Sequence, residues 1–170
     1  MTIKLLGAIL IFIGCAGYGF FLAANQIREA KTLENLSRIL DFMLWELQFK
    51  LTPLPNLCRS AASEAKGTLQ TIFNELAAEL DRQVCPDAKK CMSAVLAKHP
   101  SLPPISASCL REFGASLGRF DLNGQLEAIN SVSQCCRVSL ENLRDGQDVR
   151  LRTYRTLGIC CGAALVIIFI

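Results

Sequence analysis

"LREFGASLGRFDLNGQLEAI", from Leu110 to Ile129, carries two glycines four apart, Gly114 and Gly118, then an Arg-Phe-Asp turn, then a fresh apolar rhythm from Leu122. Leu110, Phe113 and Leu117 fall at helical spacing before the turn, and Leu126 and Ile129 after it. The stretch therefore reads as helix, sharp turn, helix. Gly118 suits the left-handed cap that ends a helix. Asp121 suits the position before the next helix, where its carboxylate accepts from free N–H groups, and Gln125 can assist. Gly114 has no side chain and lets something approach closely. Two readings stay open: a tight structural hairpin, or a partner interface on Gly114, Gly118, Arg119, Asp121 and Gln125.

Working outward, the same spacing recurs and no period-2 strand pattern survives, so the expected fold is all-α. Downstream, Leu126, Ile129, Ser133, Cys136, Leu140 and Leu143 alternate steps of three and four, with Ser133 as a weak point. Upstream, Leu33, Leu36, Leu40, Met43 and Leu47 make one apolar stripe that Ile39 and Leu44 widen. "LTPLPN" stops that helix. Thr52 is the expected cap of the next one, with Pro53 at its first position and Pro55 in its first turn. Leu54, Leu57 and Ala61 continue inside. Gly67 is expected to end that helix and Thr68 to cap another, with Leu69, Ile72, Phe73, Leu76 and Leu80 on one face. Pro86 opens a further helix holding Cys91, Val95 and Leu96, and His99 to Pro104 forms a loop. The count is about six helices.

The ends of the chain differ from its middle. Residues 3–24 carry one charge, Lys4, and are long enough to cross about 30 Å of hydrocarbon as a helix. Residues 156–170 are almost all apolar but shorter, and Tyr154 and Arg155 can anchor them at an interface. Residues 25–155 hold all but one of the 18 Lys/Arg and all 15 Asp/Glu. The expected organisation is thus a helical domain flanked by two membrane helices. Arg28, Lys31 and Arg38 follow the first span, and Arg144, Arg150, Arg152 and Arg155 precede the second, which places the domain in the cytoplasm. Cys15, Gly19 and Ala23 form a small-residue ridge in the first span, and Gly158 and Gly162 form GxxxG in the last. Such ridges let helices pack on each other, on a partner's helices or on a second copy of the chain.

The chemistry of the chain is sparse. Mixed charges with a net of +3 and no basic block exclude a nucleic-acid surface. The single histidine, His99, has no partner by spacing, and no phosphate loop or nucleophile–base set appears. No catalytic residue, cofactor or metal is expected. The nine cysteines read as free thiols acting as small hydrophobes. A thiol- or metal-dependent redox protein is the alternative they motivate. "FIGC", ending at Cys15, loosely resembles a lipoprotein cleavage site, but the apolar run continues beyond it.

Taken in order, "KLLGA" in the first span, "LTPLP" (Leu51 to Pro55), "REFGASLGRFD" followed by Gln125, and the basic approach to an apolar tail resemble the stage III sporulation protein AB family over the whole length. Phe49 and Lys50 depart from it, standing where the family tends to have Tyr-Gly. The family in turn resembles the inner-membrane platform protein of type II secretion and type IV pilus machines, and "FGASLG" is similar to the Gly-Glu-x-x-Gly turn of that protein's cytoplasmic six-helix domains. The resemblance implies a membrane scaffold around the forespore that links a cytoplasmic secretion-type ATPase to other channel subunits.

Overall fold

The computed structural model describes residues 2–82, 87–117, 122–145 and 156, the side chains of 2–20, 22 and 23 excepted. Among them are six helices and no strand: α1 (Thr2–Lys50), α2 (Leu54–Glu64), α3 (Thr68–Asp81), α4 (Ala88–Lys98), α5 (Pro104–Ser116) and α6 (Leu122–Asp145). The all-α reading holds. The chain divides into two compact units, Glu29–Glu141 and Met1–Arg28 with Asn142–Ile170. Among the described residues no helix is long and apolar enough to cross a membrane. Apart from Phe21, Ala24 and Thr156, the two expected spans fall on residues whose side chains, or whose whole placement, lie outside that set. Cys15, Gly19 and Ala23 lie on α1 without described side chains; Gly158 and Gly162 lie outside the described residues.

In the unit Glu29–Glu141, the core follows the apolar spacing. Leu33, Leu36, Ile39, Leu40, Met43 and Leu47 of α1 are buried, as are Leu69, Ile72, Phe73 and Leu76 of α3. Phe73 meets Phe113 of α5 edge-on, with ring centroids 6.0 Å apart, an arrangement that aromatic quadrupoles favour. Leu44, Leu54, Leu80 and Leu126 sit at the margins, half-buried. Helices α2, α3, α4 and α5 pack in sequence, each on the next.

Helix starts depart from expectation in two places. Pro53, not Thr52, precedes α2, with ψ 144 and no side-chain cap bond. Helix α2 begins at Leu54, one residue later than a cap at Thr52 requires, and Pro53 has no side-chain acceptor to take that role. Gly67 does not end α2, which stops at Glu64; it precedes α3 with φ 63 and ψ −135, and Thr68 is the first helical residue rather than the cap. That backbone region is open to glycine and costly for other residues. Helix α4 is capped by Asp87, whose Oδ1 accepts from Lys89 N at 3.1 Å; Pro86, expected to open it, lies outside the described residues.

Polar groups join elements far apart in sequence. Glu29 of α1 is buried, and its Oε1 accepts from both the backbone N–H and the hydroxyl of Ser106, each at 3.0 Å. Ser106 is the third residue of α5, which opens on Pro103 and Pro104 with no side-chain cap of its own. A carboxylate from another helix thus caps α5 and meets its positive end. Asp41 of α1 accepts from Ser133 Oγ at 2.8 Å and Arg137 at 2.6 Å, both on α6. Ser133, expected to weaken the apolar seam, is buried and bonded instead.

Candidate partner interface

The hairpin glycine has a structural occupant. Gly114 is buried on α5 against α4. A β-carbon there would overlap Met92 Cβ and lie 2.7 Å from Met92 Cγ. The close approach expected at Gly114 is therefore made by the protein's own α4, so Gly114 serves helix packing. Helix α5 leaves helical geometry at Leu117, with ψ 135. Gln125 is half-buried in the first turn of α6; Gly118, Arg119 and Asp121 lie outside the described residues.

A different place gathers costs that folding does not explain: the elbow between α1 and α2. Trp45 and Phe49 lie one turn apart on α1, away from the Met43 and Leu47 side, 51% and 67% exposed. Their ring centroids are 5.7 Å apart at an interplanar angle of 43°. Lys50 Nζ stands 5.4 Å from the Trp45 centroid. Leu51 follows with φ 51 and is 64% exposed. A side chain with a β-carbon pays about 1–2 kcal/mol for left-handed backbone, and this leucine recovers little of it by burial. Below them Glu46 is buried. Its Oε1 accepts from Ser60 Oγ of α2 at 3.3 Å and lies 3.7 Å from Lys50 Nζ, while Oε2 is sealed from solvent without a hydrogen-bond partner. Of the residues expected as a structural turn, Thr52 and Pro53 lead directly into α2 and Pro55 is its second residue.

Trp45 and Phe49, at 51% and 67% exposed, forgo only part of the roughly 1.5–3 kcal/mol that full burial of a large apolar side chain supplies. An orphaned buried carboxylate oxygen adds a cost of its own. Exposed aromatics, backbone strain and an unsatisfied acceptor at one bend mark a surface shaped by something other than the chain's own stability. The apolar stripe reading of α1 did not include Trp45 and Phe49. The available signal was their spacing of four on the face opposite Met43 and Leu47.

Elsewhere the described polar groups serve structure. His99, expected to stand alone, places Nε2 3.2 Å from Glu75 Oε1 across α3 and α4. Cys58, Cys91, Cys109, Cys135 and Cys136 are free thiols. Burial pushes the Cys58 thiol up to about 12. Cys109 of α5 is within hydrogen-bond reach of both Cys136 and Cys135 of α6. The bond between Cys136 and Cys109 lowers the Cys109 thiol and raises that of Cys136; burial raises that of Cys135. Among the described residues no group of three His, Cys, Asp or Glu is placed to hold a metal ion.

Fold and surface together define an all-helical protein with one side of its first helix turned outward in aromatic residues. The chain belongs to the stage III sporulation protein AB family, whose model matches residues 4–170. It is 24% identical to stage III sporulation protein AB of Bacillus subtilis over 169 residues, 98% of each chain. A solved structure of a stage III sporulation protein AB superposes with a TM-score of 0.63 at 21% identity, covering 72% of this chain and 98% of the other, which supports the fold.

Proposed function

We propose that this protein is a non-enzymatic platform subunit of a sporulation channel, held in the membrane around the forespore by residues 3–24 and 156–170. Its helical unit, Glu29–Glu141, would face the mother-cell cytoplasm and receive a secretion-type ATPase, while the apolar segments meet other membrane subunits. Family membership supports the sporulation role. The charge asymmetry at both apolar segments supports the orientation. The exposed Trp45–Phe49 pair beside the strained Leu51 carries the partner-binding reading.

The test replaces Trp45 and Phe49 together with alanine in the full-length chain. Thermal melting should stay within a few degrees, because both rings are mostly in solvent, while co-purification of the ATPase and spore formation are lost. Normal spore formation in the double variant would leave the elbow without a partner role. A cytoplasm-only reporter inserted between His99 and Pro104 should be active; activity confined to an export-dependent reporter would reverse the orientation.

A further inference from the structure

Three of the described cysteines meet between α5 and α6. Cys109 of α5 is within hydrogen-bond reach of both Cys136 and Cys135 of α6. They differ in access: Cys135 is exposed, whereas Cys109 and Cys136 are buried. They differ also in acidity. The hydrogen bond with Cys136 is the largest influence on Cys109 and holds its thiol below the ordinary value, against burial and the nearby carboxylates of Glu112 and Glu29. Burial raises the thiol of Cys135. The most readily ionised sulfur of the three therefore lies inside, in contact with the sulfur that a solute reaches first.

Geometry decides which two can join. Adjacent Cα atoms are about 3.8 Å apart, short of the ~4.4–6.8 Å that a disulfide ordinarily spans, so the neighbours Cys135 and Cys136 do not bridge each other. Cys136 is shielded from solutes, which leaves Cys135 as the point of attack. We propose that Cys109 and Cys135 form a disulfide latch between α5 and α6 that closes in response to a small hydroperoxide. The Cys135 sulfur attacks one peroxide oxygen. The S–O bond forms, the O–O bond breaks and water leaves, so that Cys135 becomes a sulfenic acid. The Cys109 thiolate then attacks the Cys135 sulfur. The S–S bond forms, the S–O bond breaks, and the departing hydroxide takes up the proton that Cys109 released and leaves as water. Two thiols and one hydrogen peroxide thus give one disulfide and two waters. Cys136 is a positioning residue: its S–H donates to Cys109 and it stays reduced. Because the Cys135 thiol is raised, the first step is the slow one, and the latch answers an excess of peroxide rather than a trace. The bond ties together the two helices that flank residues 118–121, and it needs neither a partner nor the platform role proposed above.

The test uses the full-length protein in detergent micelles, reduced, desalted and then treated with hydrogen peroxide. Peptide mapping without reductant should find Cys109 linked to Cys135 within one chain. The melting temperature should rise by about 5 °C or more, and dithiothreitol should reverse both changes. Cys135→Ser alters an exposed residue, should melt like the reduced wild type, and should leave Cys109 unoxidised. Cys109→Ser should leave Cys135 as a sulfenic acid that dimedone traps. Cys136→Ala removes the donor to Cys109 and should slow closure several-fold, so that dimedone captures more Cys135 than in the wild type. A link between Cys109 and Cys136, links only between chains, Cys135 carried on to sulfinic or sulfonic acid while Cys109 stays free, or oxidation of Cys109 at an undiminished rate in Cys135→Ser would each overturn the latch.

Discussion

Gly114→Ala tests the close contact of α5 with α4 against a simple propensity argument. Alanine is the better helix former by about 1 kcal/mol, so propensity alone makes the substitution stabilising. The packing says otherwise. A β-carbon at 114 would overlap Met92 Cβ and lie 2.7 Å from Cγ, where carbon atoms normally rest about 3.5–4.0 Å apart. Met92 Cγ can swing aside, but Cβ is fixed to the α4 backbone, so α4 and α5 must separate by about an ångström. That loosens Met92, Leu110 and Phe113, all fully buried. Overpacking of this kind costs about 1–3 kcal/mol. With the upper part of that range set against the propensity gain, the net loss is about 1–2 kcal/mol. For a unit of this size the melting temperature should fall by about 4–8 °C, measured by circular dichroism on the full-length chain in detergent. Met92→Gly in the same background removes the opposing β-carbon and should recover about 1 kcal/mol relative to the sum of the single changes. An unchanged or higher melting temperature in Gly114→Ala would refute the close approach, and additivity in the pair would refute its assignment to Met92.

Glu29→Ala strands the Ser106 N–H and hydroxyl in a buried site and should cost about 2–3 kcal/mol; Glu29→Gln keeps an acceptor and should cost about 1 kcal/mol, both read by urea unfolding. Leu51→Gly relieves left-handed strain and should raise stability by about 1 kcal/mol, checked by thermal melting. At pH 8.5 iodoacetamide should label Cys135, the exposed one, first and Cys58 last among the described cysteines, as peptide mapping will show. Cys58 is held protonated in the fold, up to about 12 against an ordinary 9.0. The unfolded chain therefore loses that proton first, and the contribution is complete below pH 9.0 and disappears as pH climbs toward about 12. Cys58→Ala should flatten that alkaline decline in unfolding free energy.

The sequence made the helix faces legible because burial repeats with the helical period. Every member of the stripe Leu33, Leu36, Leu40, Met43 and Leu47 is buried. Spacing is a local property, and it was blind to pairs made by topology. Glu29 and Ser106 are 77 residues apart, and Asp41 and Ser133 are 92 apart. No period links them, so the cap on α5 and the role of Ser133 became visible only in three dimensions. Helix starts failed for a related reason. Thr52 has the right side chain for a cap, but α2 starts one residue later than that cap requires, with Pro53 before it. At the hairpin, the sequence flagged Gly114 as a point of close approach without naming what approaches, because Met92 lies on another helix.

The elbow shows where such reasoning gives out. Pattern rules send Trp and Phe inward and reserve left-handed backbone for glycine, and each rule is sound as a statement about folding. Trp45, Phe49 and Leu51 break these rules within seven residues, above a carboxylate that breaks another by lying buried with an oxygen unpaired. One such breach could be tolerated at small cost. Their coincidence at one bend concentrates the cost where a partner could recover it, since burying the two rings would return on binding what the isolated chain forgoes. Removing the rings should therefore leave the fold nearly untouched and weaken assembly, whereas removing Gly114 should weaken the fold.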